Sequence, residues 1–222
     1  MIRLACNAVI FDLDGVITDT AHYHFLAWKR LAESQGVAFD EAFNERLKGI
    51  DRQGSLDLIL AQSARPYSQD EKRALADRKN VDYQQLIATM SADDLLPGAL
   101  EALDSVRAAG LKVGLASVSR NAFTVLDRLD IAGRFDYVVD ASRIARGKPD
   151  PEIFLTAAHH LGVAPQACIG VEDSLAGIES IKSAGMYAIG VGDPAVLTQA
   201  DHVIPGLTAF RLSDYINRAE TG

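Results

Sequence analysis

The chain has 222 residues, enough for one large domain or two unequal ones, and 48% of its residues are apolar. Its net charge of -8 argues against a nucleic-acid-binding protein, because such proteins need a basic surface. A small anionic substrate stays possible, since a few clustered cations can dominate one cleft. No apolar stretch approaches the roughly 18 residues that span a bilayer, and the first residues lack the layout of a signal peptide. We therefore expect a soluble, cytoplasmic protein without membrane partners, whose two cysteines are reduced.

Short apolar segments bounded by turn residues predict the strands of a parallel sheet. The first strand runs from Cys6 to Phe11 and is followed at once by acidic residues. Later in the chain, strands alternate with segments whose apolar residues recur at helical spacing. The predicted strands there are 112–116, 137–140, 167–171 and 187–191, and the predicted helices are 99–109, 121–129, 151–161 and 174–184. This alternation predicts an α/β fold with a doubly wound parallel sheet.

Roughly 80 residues separate the first strand from Pro97, and they contain no convincing strand. A crossover helix between two strands would be far shorter. Helical patterns fill this segment instead, at 21–35, 40–48, 55–63 and 69–90. We therefore interpret residues 18–90 as a helical cap domain inserted into a catalytic core formed by residues 1–17 and 91–222.

Polar side chains follow several predicted strands at the point where each strand ends. In an open parallel sheet, ligands bind at the carboxyl ends of the strands, so these side chains are expected to meet. The set comprises four acids, a lysine and a serine: Asp12, Asp14, Glu172, Asp173, Lys148 and Ser117.

The four acids require a cation, because carboxylates at close range cannot all stay ionised. Mg²⁺ is the expected ion, since it prefers oxygen ligands and accompanies phosphate chemistry. Lys148 would neutralise further negative charge, and Ser117 would suit phosphate oxygens together with backbone N–H groups of the next helix. Taken alone, Asp173 or Ser174 is explained as a helix cap. Complementary groups at several strand ends favour a site.

Asp12 and Asp14 project to the same side of an extended segment and need different roles. A carboxylate beside a metal and a lysine stays ionised and can attack phosphorus, forming an aspartyl phosphate. A second carboxyl group, held off the metal, could carry the proton of the attacking or leaving hydroxyl. Gly15 allows the backbone to turn sharply behind them.

Four stretches resemble the four motifs of the haloacid dehalogenase-like (HAD) superfamily: FDLDGVITDT, LASVS, GKPDPEIF and GVEDSLAGI. They occur in the family's order, and the helical segment lies where that family carries a cap. The resemblance implies a Rossmann-like core, Asp12 as nucleophile, Asp14 as general acid and base, and Mg²⁺ as cofactor.

Within this superfamily, DGVITDTAHYHF, LKGIDR, RKN and LASVSRN are similar to the beta-phosphoglucomutase group. That likeness implies an isomerase that interconverts beta-D-glucose 1-phosphate and D-glucose 6-phosphate in carbohydrate metabolism, through beta-glucose 1,6-bisphosphate. The implied magnesium ligands are Asp12, Glu172, Asp173 and the Asp14 carbonyl. The implied ligands of the transferred phosphoryl group are Ser117, the Val118 amide and Lys148.

The same likeness implies roles for residues on both sides of the cleft. The implied ligands of the second phosphate are Arg52, Ser119, Arg120 and Asn121. Lys48 and Gly49 would line the sugar site, while His24 and Lys79 would couple cap closure to the position of Asp14. Trp28 is expected to pack inside the cap, with a sugar-facing role as the second interpretation. Arg120 and Val118 stand where the group usually has lysine and alanine.

Two other functions remain open from the sequence. A Mg²⁺-dependent sugar-phosphate phosphatase has the same core, transfers the phosphoryl group to water and needs only one phosphate site. A phospho-acceptor switch domain also phosphorylates an aspartate, but it needs neither a cap nor Asp14. In the enzymatic interpretations the partners are small-molecule sugar phosphates, and the chain is expected to be a monomer.

Overall fold

The computed structural model describes residues 5–47 and 49–216. Within these ranges, six parallel strands form one sheet in the order β3-β2-β1-β4-β5-β6. The strands are β1 (Ala8–Phe11), β2 (Lys112–Leu115), β3 (Tyr137–Val138), β4 (Cys168–Glu172), β5 (Tyr187–Val191) and β6 (His202–Ile204). The α-helices are α1 (Ala21–Ser34), α2 (Glu41–Glu45), α3 (Arg52–Leu60), α4 (Gln69–Ile87), α5 (Ala99–Ala108), α6 (Ala122–Arg128), α7 (Glu152–Leu161) and α8 (Leu175–Ser183).

Strand β1 lies at the centre of the sheet and is buried on both faces. Val9 and Phe11 join the apolar cluster that contains α5 and α6, whereas Ala8 and Ile10 join the cluster that contains α7 and α8. Because both faces are covered, the strand reads as a continuous apolar run rather than as an alternating one. The predicted doubly wound α/β fold is confirmed.

The sheet differs from the prediction at its edges. Strand β6 was not predicted, because it has only three residues and begins with the half-buried His202. Strand β3 is shorter than the predicted 137–140. Short edge strands carry little apolar pattern, since only part of their surface is buried.

Both cysteines are buried and unpaired.

Helices α1 to α4 build an apolar cluster of their own between the first two strands of the chain. Its larger members are Trp28, Leu31, Phe39, Phe43, Leu56 and Ile59. Near the end of α4, Tyr83 and Ile87 pack instead into the apolar cluster that contains α5 and α6. The arrangement supports our interpretation of these helices as a cap, with α4 contacting both the other cap helices and the core. None of the described helices is long and apolar enough to cross a membrane.

The two chain segments that connect the helical insert to the sheet lie side by side. The Thr18 hydroxyl donates to the Asp94 carbonyl oxygen at 2.6 Å, and the Leu96 amide donates to the Ile17 carbonyl oxygen at 2.9 Å. The linkers therefore form one joint close to the end of β1, which is where the predicted catalytic acids lie.

Helix α4 begins with a complete capping box. The Ser68 hydroxyl accepts from the Glu71 amide at 3.2 Å, and the Glu71 carboxylate accepts from the Ser68 amide at 2.8 Å. Such a cap contributes about 1 kcal/mol to helix stability. It fixes the start of the helix that carries Lys79 into the cleft.

We expect Gly98→Ala to destabilise the fold by about 2–5 kcal/mol, from a left-handed backbone penalty of about 1–2 kcal/mol and a steric penalty of about 1–3 kcal/mol. Gly98 has φ +87°, and an added Cβ would lie 2.4 Å from the Thr208 nitrogen. Gly110→Ala is the matched control, because Gly110 has φ +73° but open space around it. Urea unfolding of both variants measures the difference, and equal losses would contradict the close packing at Gly98.

Candidate active site

A cleft opens between the carboxyl ends of the central strands and the helical insert. Its space measures about 810 Å³ when the part open to solvent is included. From the sheet side it is lined by Asp12, Asp14, Asp173 and residues 118–121, and from the insert side by His24, Trp28, Gly49, Arg52 and Lys79. Ser117, Lys148 and Glu172 are buried outside the lining of the cleft. The predicted sugar ligand Lys48 lies outside the described residues.

Lys148 joins two of the acids in a buried ion pair network. Its Nζ lies 2.7 Å from Asp12 Oδ1 and 2.6 Å from Glu172 Oε2. Burial by itself lowers the pKa of Lys148, but the two carboxylates outweigh it and raise this pKa above its usual value. The lysine is therefore held as a cation beside Asp12.

Glu172 is fixed by the start of helix α8. Its Oε1 accepts from the Ser174 amide at 3.1 Å and from the Ser174 hydroxyl at 2.9 Å. The Ser174 hydroxyl oxygen in turn accepts from the Gly177 amide at 3.0 Å and caps the helix. An added Cβ at Gly177 would lie 2.0 Å from the Glu172 carboxyl carbon, so only glycine leaves room there. The predicted helix cap therefore also positions a site residue.

Asp12, Glu172 and Asp173 form a group of acids that fits a magnesium ion. One carboxylate oxygen from each lies within 4.8 Å of the others, and no other such group occurs in the described part of the chain. Burial and the neighbouring Glu172 raise the pKa of Asp12 to about 8, even though Lys148 opposes the shift. The lysine therefore does not compensate the acids fully. An all-oxygen donor set with excess negative charge is what Mg²⁺ prefers.

Asp14 lies in the same cleft but is not part of the carboxylate group around Lys148. Its Oδ1 is buried and accepts no hydrogen bond from the described residues. Burial is the main cause that raises the pKa of Asp14 to about 6. A carboxyl group of this kind can exchange a proton near neutral pH. This placement agrees with the role that the resemblance implies for it.

Gly15 makes the turn after Asp14 with φ +80°. An added Cβ would lie 2.2 Å from Asp173 Oδ2, so the backbone here approaches the predicted metal ligand directly. The sequence predicted the turn, and the structure shows that the Asp173 carboxylate fills the space where a side chain at Gly15 would lie.

The loop after β2 is shaped by its own hydroxyl groups. The Ser117 oxygen accepts from the Ser119 amide at 3.1 Å, and the Ser119 oxygen accepts from the Asn121 amide at 3.3 Å. These contacts leave the side chains of 118–121 along the cleft.

Two guanidinium groups line the cleft, one from each side. Arg52 comes from α3 and Arg120 from the loop after β2, and neither is paired with a carboxylate among the described residues. Burial is the main cause that lowers the pKa of Arg52, the neighbouring Arg120 lowers it further, and Asp77 opposes the shift. Clustered positive charge in a cleft favours an anion.

Ser55, which lines the cleft, and Asn80, which contacts two of the lining residues, were given no role from the sequence. Asn80 Oδ1 accepts from Arg52 Nη2 at 2.8 Å and from Asn121 Nδ2 at 2.9 Å. Ser55 is buried, lines the cleft and follows Arg52 by three residues on α3. Helical spacing from Arg52 could have suggested Ser55, whereas the contact of Asn80 with Asn121 depends on the tertiary fold.

The half-buried His24 and the buried Lys79 form a pair on the insert side of the cleft. Lys79 Nζ lies 2.8 Å from His24 Nδ1, and the His24 ring stacks on Tyr83 at 4.1 Å between centroids. Burial is the main cause that lowers the pKa of both groups, that of Lys79 to about 7. The Lys79 nitrogen also lies 4.4 Å from the centroid of the Trp28 ring. Trp28 packs in the insert and lines the cleft, so it fits both sequence interpretations.

Together with the sequence motifs, the parallel sheet and its helical insert place the chain in one class of proteins. The chain belongs to the haloacid dehalogenase-like hydrolase family, whose model matches residues 6–185. The resemblance seen in the sequence motifs is thereby confirmed. Magnesium dependence is general in this family, and the acid group of this chain fits such an ion.

Among proteins of this family, the chain is 53% identical to the beta-phosphoglucomutase of Bacillus subtilis, over 89% of this chain and 88% of that protein. It is 36% identical to the phosphorylated carbohydrates phosphatase of Thermotoga maritima, over 82% and 83%. The crystal structure of beta-phosphoglucomutase from Clostridium difficile superimposes with a TM-score of 0.91 at 44% identity, over 94% and 95%.

We expect Gly15→Ala to weaken Mg²⁺ binding about 10- to 100-fold, because the methyl group would displace the Asp173 carboxylate. Gly36→Ala is the matched control, since Gly36 has φ +71° and open space around it. Isothermal titration with Mg²⁺ measures both variants. Equal affinities would show that Asp173 does not hold the ion.

Stability should depend on pH through Lys79. Its pKa is about 7 in the folded chain and 10.5 without the fold, so the unfolded state binds the extra proton between these values. The free energy of unfolding should therefore rise with pH from about 7 to 10 relative to Lys79→Met, by at most about 1.4 kcal/mol per pH unit. Urea unfolding across this range measures the rise. A profile for Lys79→Met that runs parallel to that of the wild type would contradict the shift.

Proposed function

We propose that this chain is a Mg²⁺-dependent beta-phosphoglucomutase that interconverts beta-D-glucose 1-phosphate and D-glucose 6-phosphate. The observation that carries the proposal is one cleft with two candidate phosphate sites. At one, Asp12 lies beside Lys148 and the acids that would hold Mg²⁺. At the other, Arg52 and Arg120 line the cleft. A mutase must hold two phosphates at once, whereas a phosphatase needs to hold one.

In the proposed reaction, an Asp12 carboxylate oxygen attacks a phosphorus atom of beta-glucose 1,6-bisphosphate. The new bond joins Asp12 to phosphorus, and the bond from phosphorus to the sugar oxygen breaks. Asp14 gives its proton to that oxygen, which leaves as a hydroxyl group. Transfer back to the other hydroxyl of a bound monophosphate reverses these steps, and Asp14 then accepts the proton. Net isomerisation therefore releases no phosphate.

The remaining residues have supporting roles in this proposal. Lys148 stays charged beside Asp12 and would neutralise the phosphoryl oxygens with Ser117 and the Val118 amide. When bound, Mg²⁺ would supply positive charge to the acids and to the transferred group. Arg52 and Arg120 would hold the second phosphate, together with Ser119 and Asn121. The helical insert would keep water from the aspartyl phosphate.

A sugar-phosphate phosphatase is the alternative function, because one relative is named a phosphorylated carbohydrates phosphatase. The same Asp12 chemistry would serve it, with water as the acceptor. The second cationic group favours the mutase, and so does the higher identity to a beta-phosphoglucomutase. A phospho-acceptor switch is disfavoured by the helical insert and by Asp14 in the cleft.

The wild-type protein should convert beta-glucose 1-phosphate to glucose 6-phosphate with Mg²⁺ and a trace of the bisphosphate, as followed by phosphorus NMR. Asp12→Ala should abolish turnover because the nucleophile is lost. Asp14→Ala should lower it about 10²- to 10⁴-fold, since only the proton transfer is removed. Asp127→Ala, on the exposed face of α6, is the control carboxylate and should keep wild-type turnover. Release of inorganic phosphate without isomerised sugar would support the phosphatase instead.

A further inference from the structure

Helix α4 holds one core residue by both halves of its side-chain amide. Asn121 Nδ2 donates to Asn80 Oδ1 at 2.9 Å, and Gln84 Nε2 donates to Asn121 Oδ1 at 3.2 Å. Asn80 and Gln84 lie one turn apart on the insert helix, whereas Asn121 is buried at the start of α6 in the core. These two hydrogen bonds therefore cross from the insert to the core at the edge of the cleft.

The Asn80 oxygen is also bound by a cation. Arg52 Nη2 donates to it at 2.8 Å, so Arg52 and Asn121 converge on one oxygen atom. A phosphate oxygen in the position of the Asn80 oxygen would accept hydrogen bonds from the same two donors. Asn80 is neutral, so it aligns the donors without cancelling the charge of Arg52. A carboxylate in its place would accept the same hydrogen bonds but would neutralise the site.

We infer that Asn80 is a positioning residue of the second phosphate site, which it keeps assembled when no phosphate is bound. The hydrogen bonds of Asn80 and Gln84 to Asn121, which we call the latch, join insert and core. The inference rests on the proposed function, because that function assigns Arg52 and Asn121 to a second phosphate. An incoming phosphate takes over the two donors from Asn80, while the hydrogen bond from Gln84 to Asn121 still holds the insert against the core.

The latch also bears on the choice of phosphoryl acceptor. An insert that opens more often would admit water to the aspartyl phosphate of the proposed mechanism. Loss of Asn80 should therefore raise the share of phosphoryl groups that reach water rather than the sugar. Asn80 would thus help to separate a mutase from a phosphatase on the same core.

The direct test is a titration with glucose 6-phosphate in the presence of Mg²⁺, followed by the fluorescence of Trp28. This is the sole tryptophan in the sequence, and it lines the cleft. Asn80→Ala should weaken binding about tenfold, as expected for loss of a hydrogen bond to a charged group. Asn80→Asp keeps the acceptor but should weaken binding further, because its charge opposes phosphate. Gln84→Ala should weaken binding by about two- to threefold, and Gln85→Ala on the exposed side of α4 should not change it.

A purely structural role would give the opposite result for Asn80→Asp, since the carboxylate would restore both hydrogen bonds and with them wild-type binding. That outcome, or unchanged binding by a folded Asn80→Ala, would overturn the inference. In turnover assays, Asn80→Ala should raise the KM for beta-glucose 1-phosphate more than it lowers kcat, and should raise the release of inorganic phosphate.

The binding test is independent of the reaction that the enzyme performs. If the wild type only hydrolyses sugar phosphates while the Asn80 variants bind glucose 6-phosphate as predicted, the proposed mutase fails and the role of Asn80 in phosphate positioning stands. If the wild type isomerises and both Asn80 variants bind normally, only the inference about Asn80 fails.

Discussion

The site depends on a single buried cation, Lys148, that holds Asp12 and Glu172 within hydrogen-bond distance. A buried lysine without such partners would be costly, and two buried carboxylates without it would repel each other. The three residues come from separate parts of the chain, after β1, before α7 and at the end of β4. Their mutual dependence requires the sheet to bring these parts together in one register. Charge that remains uncompensated after this pairing is what the acid group offers to a metal ion.

The helical insert contributes the opposite kind of charge. Its Arg52 approaches Arg120 of the core, and the Asn80 amide bridges the insert to Asn121. Negative charge is thus concentrated at the end of β1, and positive charge where the insert meets the loop after β2. A sugar that carries phosphate at both ends would match this distribution once a metal ion offsets the acids, and only when insert and core are in contact. Electrostatics and closure are therefore linked in the same cleft.

Much of this arrangement could be predicted from the sequence, because the acids, Lys148 and Ser117 follow apolar strands whose carboxyl ends must meet. The four sheet strands with continuous apolar runs were also evident, whereas β6 was not, since an edge strand of three residues carries too little pattern. The role of Asn80 could not be predicted, because a shared acceptor is defined by two donors that lie far away in the sequence. The roles assigned to individual site residues remain predictions that the proposed variants test.

The side-by-side linkers have a consequence for folding. Strand β1 must pair with β2 across roughly 100 residues, and long-range pairing of this kind slows folding. The insert has an apolar cluster of its own, and its ends meet at Thr18 and Leu95. Once the insert is formed, the chain that remains to be closed is roughly 25 residues long, which lowers the loop-closure cost by about 1.2 kcal/mol. The joint that would allow the insert to move over the substrate therefore also shortens the loop that must close before β1 pairs with β2.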